Sequence, residues 1–338
     1  EIIEPTRHVG RLGLQGLLSP VPRHHAQTFS PSMQRAVDTA LGSNRFEVAV
    51  GLQLDAAAYL ARAAAAIPIV FEEAELSVLR DRYVAAESAR TRVRNGLTWW
   101  KYRRYVRTLS RACALTTVVS EKERAMLIEI GGNPKRIAVV PNGVEIGSRP
   151  RDAVRLERVI YPGSVTYVAN LDAVTYFVQD ILPLLRRSVP HLEFWVTGET
   201  RGIDIEALSR APGVVFTGRV ADVTPLIAQS AACVVPLRIG GGTRLKILHA
   251  MAAGAPVVAT HKGMEGLRLE PGRHLLTAEN PQDFAAAVLR LLREPDLASD
   301  LANAAFDCVA TDYDWKTICA QFSGLLGWVS RESKAERR

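Results

Sequence analysis

Val234-Val235-Pro236-Leu237-Arg238-Ile239-Gly240-Gly241-Gly242-Thr243-Arg244-Leu245-Lys246-Ile247-Leu248-His249-Ala250-Met251-Ala252-Ala253-Gly254-Ala255-Pro256-Val257-Val258-Ala259-Thr260 reads as a buried strand, a glycine turn, a helix and a second buried strand. Two β-branched apolar runs joined through a helix-length segment form a βαβ unit of a parallel sheet. Ligands of such sheets bind at the carboxyl ends of the strands. Gly240, Gly241 and Gly242 let the backbone turn sharply and come close to a ligand, and Thr243 is placed to cap the helix that follows.

The first-turn amides of that helix lack backbone partners, and the helix dipole is positive there. A phosphate gains roughly 0.3–1 kcal/mol from the dipole alone. Cations at this end oppose the dipole, so Arg244 and Lys246 are expected to serve a bound anion; the plainer reading is two solvated helix residues. Leu245, Leu248 and Ala252 are expected to form the packing stripe, and Lys246 and His249, three residues apart, to share a face.

This stretch resembles the donor site of retaining glycosyltransferases of family 4, in the branch carrying Gly-Gly-Gly-Thr-Arg-Leu-Lys. The resemblance implies the GT-B fold, two facing doubly wound α/β domains with the active site in the cleft between them. It further implies a nucleotide diphosphate sugar whose pyrophosphate lies against Gly240, Gly241, Gly242 and Thr243, balanced by Arg244 and Lys246. One feature departs from the wider family. Its E-x(7)-E glutamates fall at Gly241 and His249, so the ribose contact of the second glutamate would pass to His249, as a neutral hydrogen-bonding imidazole or a third cation.

The remaining chain is in keeping with that outline. Its 338 residues suit two domains. A hydrophobic content of 48% and a charged content of 23% are ordinary for a globular chain, and no apolar run reaches the ~18 residues of a membrane span. The net charge of +7 points to an anionic partner. Cys113, Cys233, Cys308 and Cys319 are scattered, which indicates neither zinc nor a disulfide framework but reduced thiols of a cytoplasmic protein. No metal and no cofactor beyond the nucleotide co-substrate is expected. The chain opens Glu1-Ile2-Ile3-Glu4-Pro5, without methionine or signal segment. Because family members begin with an earlier strand and glycine turn, the first domain is expected to lack its N-terminal strand or strands, with about four counted before Asn142.

In the first domain, residues 1–150, Pro5, Pro20, Pro22 and Pro31 break the opening, where His8, His24 and His25 read as surface loop more readily than as metal ligands. A helix from Pro31 to Leu41, a strand at Phe46–Gly51, a helix from Asp55 to Ala66 and a strand at Ile67–Phe71 follow. That strand runs into Glu72-Glu73-Ala74-Glu75. By resemblance this place faces the acceptor sugar, with Glu72 and Glu75 as candidates; a helix first turn favouring acidic residues explains them equally well. Ser77 to Arg111 reads as one long basic helix holding Trp99-Trp100-Lys101-Tyr102-Arg103-Arg104-Tyr105-Val106-Arg107. Aromatics beside arginines suit an anionic membrane interface, which would make the protein peripheral on the inner face of the membrane. Leu97, Trp100, Tyr105 and Leu109 at helical spacing suit a core face instead. Pro141-Asn142-Gly143-Val144-Glu145 resembles the interdomain signature, and residues 152–158 read as a charged linker.

The second domain, residues 151–312, opens with Val159-Ile160-Tyr161-Pro162-Gly163-Ser164, and Asn170 is placed to cap the next helix. By resemblance Gly163 and Ser164 approach the donor, Arg219 and Val220 lie near the base, and Lys262-Gly263-Met264-Glu265-Gly266-Leu267 is the loop after the central motif. Residues 313–330, from Tyr313-Asp314-Trp315 on, match a terminal helix that crosses back to the first domain, with Lys334–Arg338 as a charged tail. The reaction implied is transfer of a hexosyl group to a sugar or lipid-linked acceptor hydroxyl, with retention of configuration, in cell-surface polysaccharide or glycolipid synthesis. A non-catalytic nucleotide-sugar binder and an epimerase of the same fold are the alternatives. No nucleic-acid module is recognisable, so no nucleic-acid partner is expected.

Overall fold

The structure, a computed structural model, describes residues 22, 29–43, 45–73, 76–84, 86, 88–148 and 156–336. The expectations for His8, His24, His25 and Glu75 lie outside them. The chain divides into two units, one holding the described residues up to Pro141 together with those from Cys319 on, the other Asn142–Ile318.

The first unit is built on four parallel strands in the order β1-β2-β3-β4, namely Ala49–Leu52, Ile69–Glu73, Leu115–Val118 and Ile137–Val139. Sequential neighbours that are parallel require crossovers, and the helices Gln53–Leu60, Ala89–Ala112 and Glu121–Glu129 supply them. Val106, Leu109 and Leu127 on those crossovers pack with Ile69 and Phe71 of the sheet. Val329 of the final helix, Trp315–Glu336, packs with Val70 and Leu115, flanked by Phe322, Leu325 and Leu326. That helix runs through Lys334, which pairs with Glu47 at 2.7 Å, so the charged stretch expected as a tail is helical as far as Glu336.

The single helix expected from Ser77 to Arg111 is two, Leu76–Val84 and Ala89–Ala112. Ser88 starts the second, its hydroxyl accepting from the Thr91 amide at 3.2 Å. A serine with extended backbone and a free acceptor is a better cap than an interior helix residue, and periodicity alone does not reveal the break.

The second unit carries six parallel strands in the order β10-β9-β8-β5-β6-β7. These are β5 Leu156–Pro162, β6 Glu193–Thr197, β7 Val214–Gly218, β8 Ser230–Val235, β9 Val257–Ala259 and β10 Leu276–Thr277. The linker expected at residues 152–158 therefore gives up its last three residues to β5. Every residue of β8 is buried, as a parallel strand covered on both faces must be, which is why it reads as an unbroken apolar run. The order reverses between β8 and β5, so the crevice at their carboxyl ends is the topological switch point of the sheet.

Helix Val168–Tyr176 passes through a wide turn at Phe177–Ile181 before continuing as Leu182–Ser188. Pro183 has no amide to donate to the preceding turn, and widening the turn just before it accommodates the loss. Phe177, fully buried in that turn, packs its ring 4.3 Å from Phe194 and 6.2 Å from Phe284, joining helix, sheet and the helix Pro281–Arg293. No helix among the described residues is long and apolar enough to cross a membrane.

Candidate functional site

After Val235 the chain leaves the sheet through Pro236 and Leu237 and turns at the triple glycine. Gly240 has φ +104° and Gly242 φ +78°, backbone conformations that side-chain-bearing residues rarely adopt. The turn is tied from within: Arg244, 5% exposed, donates from its guanidinium to the carbonyls of Gly241 at 2.8 Å and Gly240 at 3.0 Å. Its outer face meets Glu265 at 3.7 Å, and Glu265 also pairs with Lys262 at 2.8 Å. The amides of Gly241, Gly242 and Thr243 donate to no acceptor among the described residues. They lie just before helix Leu245–Ala252, whose amino end favours an anion.

Thr243 does not cap that helix. Arg244 stands at the cap position with no side-chain cap, and the Thr243 hydroxyl accepts from the Asn142 side-chain amide at 2.8 Å. A partner 101 residues away competes for the hydroxyl and wins. The expected packing stripe shifts too. Ile247, Leu248, Ala250 and Met251 are buried, whereas Leu245 is exposed.

Lys246 turns inward. Its Nζ donates to Tyr161 Oη at 2.6 Å and Asn170 Oδ1 at 2.7 Å and lies 4.2 Å from the Tyr161 ring centroid. Among the described residues no carboxylate pairs with it. Burial without a counter-ion brings its pKa down to about 7, with the Arg244 cation pushing the same way. Gly163 makes room for this ammonium, because a Cβ there would stand 3.3 Å from Nζ and 3.1 Å from Asn170 Nδ2. Asn170 is no helix cap: the helix begins at Val168, and Asn170 accepts from Tyr161 and Lys246 while donating to the Ser164 carbonyl at 2.7 Å. Ser164 in turn donates to the Glu199 carbonyl at 2.8 Å.

Four loops at the carboxyl ends of β5, β6, β7 and β8 thus meet. They hold Gly163 and Ser164, Glu199, Arg219 and the glycine turn with Lys246. Arg219 and Val220 are exposed, and the Arg219 cation is close enough to help hold the Glu199 carboxyl below the usual carboxylate range, behind the larger effect of the Arg201 amide. His249 is exposed on the same helix as Lys246, and burial of its surroundings holds its imidazole below the ordinary histidine range, hence neutral at pH 7. Among the described residues no hydrogen bond joins the two side chains.

Glu72 belongs to the first unit. It is half-buried at the carboxyl end of β2, where burial raises its pKa against the opposing hydrogen bond from the Gln53 amide. Gln53 has φ +62°, the one described non-glycine residue in the left-handed region, and that turn aims its amide at the carboxylate.

Tyr161, Asn170, Glu265 and Asn142 were not recognisable as parts of this arrangement from local sequence. A polar residue at a strand end followed by glycine, as in Tyr161-Pro162-Gly163, is the signal that marks Tyr161. Among the described residues no group of three or more His, Cys, Asp or Glu is placed to hold a metal ion.

Comparison with known proteins bears on both units. Residues 4–147 match the model described as Glycosyltransferase Family 4, and residues 157–294 match that described as Glycosyl transferases group 1. The glycogen synthase of Mycobacterium tuberculosis is 30% identical over 198 residues, 54% of this chain and 46% of that protein. The chain spans less than half the length of the curated relatives it matches. TarM superposes with a TM-score of 0.68 at 15% identity, over 85% of this chain and 57% of TarM. Anabaena Alr3699/HepE, solved with UDP-glucose, superposes with a TM-score of 0.65 at 18% identity, over 88% of this chain and 82% of its own. The two parallel-sheet α/β domains are matched in turn by these two glycosyltransferase models, and their fold is that of the GT-B neighbours.

Proposed function

We propose that the protein is a retaining glycosyltransferase that moves a hexosyl group from a nucleotide diphosphate sugar to an acceptor hydroxyl, in the cytoplasm, for cell-surface polysaccharide or glycolipid synthesis. The observation that carries this reading is the pairing of an anion seat with a buried lysine: at a glycine turn, three amides that find no acceptor among the described residues, beside an ammonium that finds no carboxylate among them. Such a seat fits a pyrophosphate. HepE, solved with UDP-glucose, and S. aureus TarM, solved with UDP, support the choice of donor.

In this reading the bond between the sugar's anomeric carbon and the diphosphate oxygen lengthens first. Negative charge grows on the departing oxygen, where Lys246 and the turn amides stabilise it, while positive charge develops on the sugar ring. The acceptor hydroxyl attacks from the face the diphosphate leaves, which retains configuration, and its proton passes to the leaving phosphate oxygen. Arg244 holds the turn in shape, Arg219 and Val220 border the base, Gly163 and Ser164 flank the phosphates, and Glu72 and Glu75 are the acceptor-side candidates. The reaction asks for no metal in this scheme.

A second reading has a specific motive. Gly241 and His249 stand where the wider family has glutamates, and a chain without them could bind a nucleotide sugar without turning it over. A donor screen scored by released nucleoside diphosphate, with and without sugar acceptors, decides between the two. Donor-dependent release that rises with acceptor supports transfer, and binding without release supports the second reading.

His249 tests the nucleotide contact itself. Its neutral imidazole can supply one donor and one acceptor to a ribose. His249→Ala is therefore expected to weaken nucleoside diphosphate binding by roughly 0.5–1.5 kcal/mol, up to about tenfold. Calorimetry on uridine and guanosine diphosphates reads this directly. Affinities equal to wild type for both nucleotides would remove His249 from the site.

A further inference from the structure

The helix Ala89–Ala112 carries eight arginines or lysines and no acidic residue. Val93, Gly96, Trp100, Arg104, Arg107 and Arg111 recur three, four and seven residues apart, so they share one face of it. Apart from the half-buried Gly96, all are exposed, with Val93 at 73% and Trp100 at 44%. Glycine inside a helix is unfavourable relative to alanine, and here the gap is filled. The Tyr83 ring of the preceding helix lies against Gly96, where a Cβ would come 3.0 Å from Tyr83 Cε2. Tyr83 is itself 37% exposed and is followed by Val84 at 68%. The stripe therefore begins apolar and aromatic, with Val84, Val93, Tyr83 and Trp100, and ends basic, with Arg103, Arg104, Arg107 and Arg111.

Among the described residues nothing neutralises the basic end. Among the described residues no carboxylate pairs with Arg103, Arg104 or Arg107, while the nearby acids Asp81 and Glu129 pair with Lys122 and Arg80. Arg104 sits 5.9 Å from the Trp100 ring centroid, which joins the two halves. The whole helix is about 36 Å long and could lie along a surface.

We propose that this face docks on an anionic lipid bilayer, with Val93, Tyr83 and Trp100 at the headgroup boundary and the arginines on lipid phosphates. The apolar end selects the partner. A nucleic-acid duplex would engage the arginines but leave Val84, Val93 and the Trp100 edge in water, whereas a bilayer takes up both kinds of group along one plane. This surface lies outside the residues assigned to sugar transfer, so it stands or falls independently of that activity.

Co-sedimentation of the full chain with phosphatidylcholine vesicles, with and without phosphatidylglycerol, is the test. Binding to the anionic vesicles alone, weakened by added salt, is expected. Each arginine is worth about fivefold on such a surface, so Arg103→Gln/Arg107→Gln should lower partitioning roughly 25-fold at an unchanged unfolding midpoint. Trp100→Ser should lower it about tenfold and leave the salt dependence as it was. Brominated lipids should quench wild-type fluorescence and spare Trp100→Phe, a reading that does not depend on the arginine variants folding. Equal binding to neutral and anionic vesicles, an arginine variant that binds as wild type, absent quenching, or duplex DNA that competes while Trp100→Ser binds normally would each overturn the proposal.

Discussion

Replacing Lys246 with methionine is expected to weaken nucleotide-sugar binding roughly tenfold to a hundredfold and to slow transfer by about 10²–10³. The larger effect on rate follows from where charge grows. On the proposed reading the ground-state pyrophosphate would already meet the ammonium, but the departing oxygen gains more negative charge in the transition state. Methionine keeps the apolar stem and much of the packing against Tyr161 while removing the cation.

The same substitution should abolish a pH dependence. In the protein alone burial brings the Lys246 pKa down to about 7, because it disfavours the charge and among the described residues no carboxylate restores it. A pyrophosphate favours the charged form and raises that pKa, so above about pH 7 binding takes up a proton. Affinity for a nucleotide sugar is expected to fall about tenfold per pH unit above that point until the bound-state value is reached. A nucleotide sugar is the right probe, since the terminal phosphate of a free diphosphate titrates near pH ~6 by itself. The unliganded protein gives an independent sign. An unfolded lysine keeps its proton to about pH 10.4, so the unfolded chain binds more protons and wild-type stability should rise from pH 7 towards that value. Calorimetry in two buffers of different ionisation enthalpy measures the proton directly. Affinity that is flat between pH 6 and pH 9 would show that Lys246 is charged before the donor arrives.

The contrast between Lys246 and its neighbours shows what a local pattern can carry. The strand, the glycine turn, the helix and the second strand between Val234 and Thr260 were legible, because propensity, periodicity and turn chemistry agree there. Lys246 was recognisable as a cation at a helix start, but its partners Tyr161 and Asn170 lie 85 and 76 residues away and no spacing rule reaches them. Thr243 and Asn170 both have the chemistry of caps, and tertiary hydrogen bonds recruited both for other purposes. The break between the helices ending at Val84 and beginning at Ala89 is hidden in the sequence, since basic and apolar residues keep a helical rhythm across it. Fold class survives such errors because it rests on the alternation of strand and helix, not on their ends.

Arg244 carries the second large effect, and its direction separates two roles. As a cation beside a glycine turn it suits a phosphate contact, yet in the structure two of its guanidinium nitrogens hold the Gly240 and Gly241 carbonyls and its outer face meets Glu265. Removing a buried charge-assisted pair costs about 3–5 kcal/mol where the remaining ion is stranded. Glu265 is not stranded, since it is 29% exposed and keeps Lys262 at 2.8 Å, so the low end applies. Arg244→Ala is expected to lower the stability of the second unit by about 3 kcal/mol and transfer by about 10³, as the turn loses the shape that seats the anion. Glu265→Gln discriminates. If Arg244 is a brace, weakening its outer contact loosens the turn, and the variant shows a smaller loss of both midpoint and nucleotide affinity. If Arg244 instead swings onto the phosphates, Glu265 competes with the ligand for it, and Glu265→Gln binds the nucleotide more tightly at an unchanged midpoint. Thermal unfolding and calorimetry on the same two variants give opposite signs for the two roles, and tighter binding by Glu265→Gln would end the brace assignment.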